Sequence, residues 1–516
     1  MLVIIITLPF ASHHFTPLNL IRFSESLLST LLFISNYYFW ETNQIYGEVS
    51  GLLKPMLHTW SLSVEEQFYI FFPLFVYLIF RFFKNYLFYF FVLGFFFSLI
   101  LAIWASKNYP IFSFYSLPTR GWELLAGSIL AHTDLKFERY KFKNSKFNSL
   151  FNFIGLSMII YSFFFFTSDT YHPSIKTLIP VIGTCVIIYF NDPNTIIIKI
   201  LSSKIFIKIG LISYSLYLWH YPVFALAKSY HFFQTSFFMK LALILLTFTL
   251  SILSYIFYEK KFRDRKYSFK KISILLILKF FIIIISSILI VQNYGYKDRM
   301  HYVIQDEILN KNQKSFSKIK QTECKPILGG LSCDYKNYNK TKIIVLGDSQ
   351  MGGLAQVLIN EIDFSEYSFL YSYNASCLFL PGFDKINIKT KKVNEYCNKE
   401  YFKKIADNYL NEKNSIIILG GRLPLYLSGS FFNNKEGGIE GLSWTEKFDN
   451  HSLKSFHETF RTSIKKLSSF NKVVLVYPIP EVGYDVPTLL NLRLKKFISD
   501  ELNMINLLKK NYLTTS

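Results

Sequence analysis

An imidazole, two hydroxyls and two carboxylates stand together in the stretch His58-Thr59-Trp60-Ser61-Leu62-Ser63-Val64-Glu65-Glu66. The chain then turns apolar at once, through Ile70-Phe71-Phe72-Pro73-Leu74-Phe75. Carboxylates at the mouth of an apolar helix are costly unless they face a wet cavity or a partner charge. His58, Ser61, Glu65 and Glu66 are therefore candidates for binding a polar substrate or moving a proton in a membrane bundle. Arg120 and Glu123 have the same setting at the start of another apolar stretch. Three residues apart, they share one helical face and can pair. A guanidinium held there could grip a phosphate or polarise a carbonyl. His220 ends a third polar run, Ser213-Tyr214-Ser215-Leu216-Tyr217-Leu218-Trp219-His220. A fourth, Tyr258-Glu259-Lys260-Lys261-Phe262-Arg263, reads as charge snorkelling at a membrane edge.

Far downstream, residues 341–350 read as a buried parallel strand ending in Gly347-Asp348-Ser349, followed by a helical run from Met351. A serine at a strand-to-helix turn lies beside free helix amides that can stabilise an oxyanion, as nucleophilic acyl transfer requires. Further strands are expected at 368–372, 415–419 and 472–477, with helical segments such as 452–469 between them, and this alternation predicts an α/β sheet.

The elements that must position these groups follow from hydropathy. The chain has 516 residues, of which 51% are hydrophobic and 55 are Phe. Apolar spans near the ~20 residues that cross a bilayer are expected at 64–80, 86–105, 116–132, 148–166, 175–190, 208–226, 238–258 and 272–292. The formal net charge is +21, but the positive residues concentrate in alternate loops. These hold Arg81 and Lys84, then Lys136–Lys146, then Lys199, Lys204 and Lys208, then Lys260–Lys271. By the positive-inside rule those loops are cytoplasmic, so the charge sets topology and no nucleic-acid partner is expected. The last span then places everything after residue 292 outside the cytoplasm. Four of the five cysteines fall there, and two disulfides are expected, Cys324–Cys333 and Cys377–Cys397. Residues 24–40 are apolar but short and are expected to lie in the outer interface. His13 and His14 are expected to be exposed loop histidines.

The strings "HTWSLSVEEQFYIFFPL", "RGWELLAGSILA", "IGLISYSLYLWHYPV" and "YEKKFR" resemble, in that order, landmarks of the acyltransferase-3 family over roughly residues 1–260. The downstream part resembles the SGNH hydrolase fold, a pairing that matches the fused members of that family. The resemblance implies a multi-span α-helical membrane bundle over 1–271, a final transmembrane helix at 272–292, and an extracytoplasmic α/β SGNH-hydrolase-like domain over 293–516. It implies an integral-membrane O-acyltransferase of the bacterial cytoplasmic membrane. Such an enzyme takes an acyl group, usually acetyl, from cytoplasmic acyl-CoA (acetyl-CoA) and delivers it to an envelope polysaccharide or lipid-linked glycan. Lipopolysaccharide O-antigen and peptidoglycan are the acceptors implied. No metal is expected.

On this reading Ser349 is the nucleophile, Glu66, Arg120 and Glu123 are catalytic, and His58, Ser61, Glu65, His220 and Gly382 bind substrate. Gly382 ends Cys377-Leu378-Phe379-Leu380-Pro381-Gly382, which resembles the second block of the SGNH fold, while Gly420-Gly421-Arg422 occupies the third. Two family features are expected to lie beyond this chain: a first helix with a basic residue and a histidine, and a late Asp-x-x-His motif. Asp449-Asn450-His451 has the wrong spacing for that motif, and Asp169-Thr170-Tyr171-His172 has the spacing but reads as coincidence. Two other readings of the sequence are a glycan transporter or flippase without chemistry and an inactive fragment of the transferase.

Overall fold

The structure, a computed structural model, describes residues 1–44, 50–136, 145–167, 170–229, 236–263, 269–299, 322–327, 330–335, 340–374, 377–388, 390–409, 413–429, 446–449 and 453–478. They fall into two units, one helical within Met1–Ile308 and one α/β within Leu309–Tyr484.

The helical unit consists of α1 (Leu2–His14), α2 (Pro17–Leu31), α3 (Ser35–Thr42), α4 (Thr59–Phe83), α5 (Leu87–Asn108), α6 (Pro110–Tyr115), α7 (Leu117–Lys136), α8 (Ser145–Phe165), α9 (Leu178–Tyr189), α10 (Ile196–Leu201), α11 (Lys204–Ser229), α12 (Phe237–Ser254), α13 (Lys260–Arg263) and α14 (Phe269–Gln292). A π turn over Tyr255–Glu259 joins α12 to α13. Every expected span coincides with a helix. Among the described residues four stretches are long and apolar enough to cross a membrane, Thr59–Asn108, Ser145–Phe165, Phe237–Phe262 and Lys270–Gln292; the helices at the expected spans 116–132, 175–190 and 208–226 are not among them. The outward surface fits that solvent, since Phe71, Phe97, Phe163 and Leu245 are all exposed. Helices cannot associate in lipid through the hydrophobic effect, so close backbone approach matters. Gly155 on α8 and Gly183 on α9 supply one such approach. A Cβ on either would come within 2.7 Å of the other's carbonyl oxygen.

Two expectations change. Residues 24–40 form no single interfacial segment. They span the end of α2 and most of α3, broken where Phe33 adopts a left-handed backbone (φ 57°). Leu27 and Phe39 are fully buried there, α2 packing on α14 and α3 on α4. His14 is no exposed loop residue either: it lies in the last turn of α1 and is 1% exposed, whereas His13 faces outward.

The α/β unit has a six-stranded sheet of order β1-β2-β4-β3-β6-β8. Its strands are β1 (Thr322–Ile327), β2 (Gly330–Tyr335), β3 (Thr341–Gly347), β4 (Tyr367–Tyr373), β6 (Ile416–Gly420) and β8 (Lys472–Leu475). β5 (Lys385–Asn387) and β7 (Glu446–Phe448) form a separate antiparallel pair. Strands β4, β3, β6 and β8 run parallel, and the hairpin β1–β2 adds an antiparallel edge. Among the described residues its helices are α15 (Ser349–Glu361), α16 (Lys399–Tyr409), α17 (Leu423–Ser428) and α18 (Leu453–Ser468). β3 is buried from Ile344 onward, as expected of a central strand of aliphatic residues. The chain leaves β3 toward β4 on one side and later returns to β6 on the other. The carboxyl ends of β3 and β6 therefore flank a topological switch point, where open α/β sheets bind ligands.

The Cys377–Cys397 disulfide is present, with its Cα atoms 5.6 Å apart. Cys333 is also disulfide-bonded, and the β1–β2 register sets Cys324 opposite it. Beside the first bridge, the Lys385 ammonium is almost wholly buried and pairs with Glu446, whose other oxygen accepts from Asn394 Nδ2 at 2.8 Å. Burial pushes this amine below the ordinary lysine range, against the pull of Glu446. Removing one partner of a buried pair strands the other, typically at a cost of about 3–5 kcal/mol, whereas apolar replacement of both is often neutral. Glu446→Ala is therefore expected to lower the unfolding transition of the α/β unit sharply, and Lys385→Met with Glu446→Leu to restore much of it. Thermal unfolding of the purified protein in detergent would show both.

Candidate functional site

In the helical unit the polar residues converge at the start of α4. His58 precedes Thr59 and is 4% exposed. It is walled in by the rings of Tyr217, His220 and Tyr221, with centroids 5.4, 5.6 and 5.6 Å away. Among the described residues neither of its ring nitrogens makes a hydrogen bond of good geometry. The Tyr217 hydroxyl ties the corner together, donating to the His58 carbonyl at 2.5 Å and sharing a short hydrogen bond with Ser61 Oγ. His220 Nδ1 lies 2.6 Å from the Tyr217 carbonyl. A carbonyl can only accept, so Nδ1 carries a proton and donates it to Tyr217.

Arg120 is fixed on every side. Its Nη2 pairs with Glu123 Oε2 at 3.2 Å, as the three-residue spacing requires, and its Nη1 lies 2.7 Å from His172 Nε2. The guanidinium carbon stands over the rings of Trp60, at 5.1 Å, and Phe114, at 5.7 Å. Glu65 and Arg120 both lie within electrostatic reach of the Tyr217 hydroxyl. The structure thus gathers His58, Ser61 and His220 around Tyr217, with Glu65 and Arg120 within electrostatic reach and Glu123 held by Arg120. Glu66, next along α4, makes no hydrogen bond or ion pair among the described residues.

Nothing in the sequence marks Tyr217 or His172 as a site residue. Tyr217 stands three residues before His220, a spacing that shares a helix face. His172 belongs to the Asp169–His172 match read as coincidence. Asp169 lies outside the described residues, but His172 reaches the site from the loop ahead of α9. Burial first, and then the Arg120 charge, push its pKa from 6.5 down to about 4. The sign follows from linkage. Above pH 6.5 the imidazole is neutral folded and unfolded. Between 6.5 and about 4 the unfolded chain binds a proton that the folded one refuses, so stability falls with pH and levels off below. The contribution is at most about 3 kcal/mol, at 1.36 kcal/mol per pH unit. The melting temperature of wild type in detergent should therefore fall more steeply from pH 7 to 4.5 than that of His172→Gln.

In the α/β unit, Ser349 opens α15 directly after β3. Asp348 caps the helix, its Oδ1 accepting from Gln350 N at 2.9 Å. Its Oδ2 accepts from Arg422 N at 2.8 Å and from the Tyr426 hydroxyl at 3.1 Å. This 1%-exposed carboxylate therefore locks the turn after β3 to the turn after β6. Gly421 makes that possible. It has φ 139°, and a Cβ there would come 2.7 Å from Asp348 Oδ2 and from Leu378 Cδ1. Gly347 and Gly420 pair across the strands just below.

Ser349 is half-buried at the first helical position, beside the first-turn amides, and no histidine among the described residues hydrogen-bonds it. The arrangement can present a hydroxyl to an acyl carbon and an N–H to its oxygen. Leu378 borders this corner, whereas Gly382 is exposed in a left-handed turn (φ 94°) against Thr459 of α18. His457 is exposed on α18, and Asn450 and His451 lie outside the described residues, as do Arg139, Lys141, Lys143, Arg265 and Lys266 of the basic loops.

Residues 26–259 match the family described as acyltransferase domain, and residues 311–509 match the SGNH domain fused to AT3 domains. The chain thus joins an acyltransferase domain to an SGNH domain of the kind fused to AT3 domains. It is 28% identical over 236 residues to the peptidoglycan O-acetyltransferase OatA of Listeria monocytogenes, an alignment covering 43% of this chain and 38% of that protein. It is 28% identical over 268 residues to the O-acetyltransferase OatA of Staphylococcus aureus, covering 49% and 43%. A putative O-acetyltransferase of Staphylococcus aureus is 29% identical over 259 residues, covering 48% and 42%. The chain therefore aligns with less than half the length of these relatives. No solved structure matches it.

Proposed function

We propose that this acyltransferase-3 protein moves an acyl group, most simply acetyl, from a cytoplasmic acyl-CoA donor across the membrane to a hydroxyl of a cell-envelope polysaccharide. Peptidoglycan is the favoured acceptor over lipopolysaccharide, because one of the relatives above is named for it. The observation that carries the reading is the placement of Ser349, a serine on a capped strand-to-helix turn at the switch point of the sheet. In the helical unit the clamped Arg120 suits the developing negative charge on an acyl carbonyl oxygen, and His220 Nε2 suits a proton in transit. In the α/β unit Ser349 Oγ attacks the carbonyl carbon of the acyl group delivered through the helical unit and forms the serine ester, while the group that carried the acyl leaves with the serine proton. The glycan hydroxyl then attacks the serine ester, forming the sugar ester as its proton returns to Ser349 Oγ. Localisation in the cytoplasmic membrane with the SGNH domain outside is supported by the apolar helices, the alternation of basic loops and the disulfides.

Sealed proteoliposomes test this. Acetyl-CoA labelled in the acetyl group is supplied on one face and a peptidoglycan oligosaccharide on the other. Label appearing on the sugar, with release of free CoA on the donor side, is the expected result. Unchanged thioester alongside transported, unmodified glycan would replace the transferase with a transporter.

A further inference from the structure

We infer that His172 is a positioning residue for Arg120, holding the guanidinium in register through a neutral imidazole acceptor. The inference rests on the reading of Arg120 as the group that stabilises the acyl carbonyl. Arginine offers only donors and does not deprotonate in proteins. At 2.7 Å, His172 Nε2 must therefore accept from Nη1, which places the imidazole proton on Nδ1. Glu123 already supplies the counter-charge at Nη2. A neutral acceptor on the second nitrogen adds no charge. It fixes the fork in plane, while Trp60 and Phe114 hold its faces.

The loop bearing His172 is itself braced. Ser174 and Thr177 form a reciprocal capping box, with Ser174 N donating to Thr177 Oγ1 at 2.9 Å, and Ser174 Oγ donates to the Tyr171 carbonyl at 2.6 Å. The His172 ring also meets Phe114, 5.9 Å away, so the residue that backs the guanidinium backs the imidazole too. A loop braced in this way around a single acceptor is what sub-ångström placement of a catalytic charge requires, since misplacement by about 1 Å can cost ~10²-fold in rate.

The test uses the full chain in proteoliposomes with three changes at this position. His172→Leu keeps bulk without an acceptor, His172→Gln returns a carbonyl acceptor, and His172→Lys opposes the guanidinium with a charge. Leu and Lys are expected to lower turnover about 10- to 100-fold, Gln to stay within a few-fold of wild type, and His172→Leu to add little to Arg120→Lys in a double-mutant cycle. A second readout does not depend on turnover. Phenylglyoxal labelling of Arg120, followed by mass spectrometry, should accelerate in Leu and Lys but not in Gln. Wild-type turnover in Leu, or Gln behaving like Leu in both measurements, overturns the inference. If wild type transfers no acyl group, the reading of the reaction fails, while the labelling still decides whether His172 clamps Arg120.

Discussion

Ser349→Ala is expected to reduce transfer to the glycan by about 10³-fold or more, with the thermal transition unchanged. A nucleophile that forms a covalent intermediate has no partial substitute, and removing one in other acyl-transfer enzymes leaves only the residual contribution of the oxyanion site and binding. The fold should not notice the change. Ser349 Oγ makes no hydrogen bond among the described residues, and the cap that fixes its turn belongs to Asp348. Rapid quenching of the wild type during turnover and intact-mass analysis should show one added acyl group, absent from the variant. Transfer at the wild-type rate by Ser349→Ala would remove the serine from the mechanism and leave direct delivery from the helical unit to the sugar.

That site could be expected from sequence because its signal is local. An aliphatic strand, Gly347-Asp348-Ser349 and a helix follow one another without interruption, β3 ends a turn earlier than expected, and β4, β6, β8 and α18 fall within a residue or two of their expected places. The Asp348 lock on Arg422 and Tyr426 is different, because those groups are joined over more than seventy residues by sheet order, which no local pattern encodes. Hydropathy likewise marked all eight helices at the expected spans, yet it missed the division of 24–40 into α2 and α3. That break turns on one left-handed residue, Phe33, inside an apolar run. The hairpin β1–β2 escaped for the opposite reason: Thr322-Glu323-Cys324-Lys325-Pro326-Ile327 has neither alternation nor apolar continuity. In the helical site, Arg120 and Glu123 were legible as a pair three apart. His172 was not, because it arrives from a loop between helices, and Tyr217 was hidden among 35 tyrosines and 55 phenylalanines.

Arg120 offers the second large effect, and the choice of substitution decides what is learned. Arg120→Leu would leave the Glu123 carboxylate, whose buried Oε1 has no hydrogen-bond partner among the described residues, without its cation. Loss of one member of a buried pair costs about 3–5 kcal/mol, so inactivity there would not separate chemistry from folding. Arg120→Lys keeps the charge beside Glu123 and loses the planar fork that reaches Glu123 and His172 together. It is expected to preserve the melting temperature within a few degrees and to lower turnover about 10²- to 10³-fold, the usual cost of losing one aligned donor at a developing oxyanion. The partition between kinetic constants carries the mechanism. A residue that stabilises charge only in the transition state lowers kcat and kcat/KM together, whereas one that merely holds an anionic substrate raises KM. Steady-state kinetics over a range of acetyl-CoA and glycan concentrations would read that split. A pure rise in KM for the donor would reassign Arg120 from the acyl carbonyl to a phosphate of the substrate.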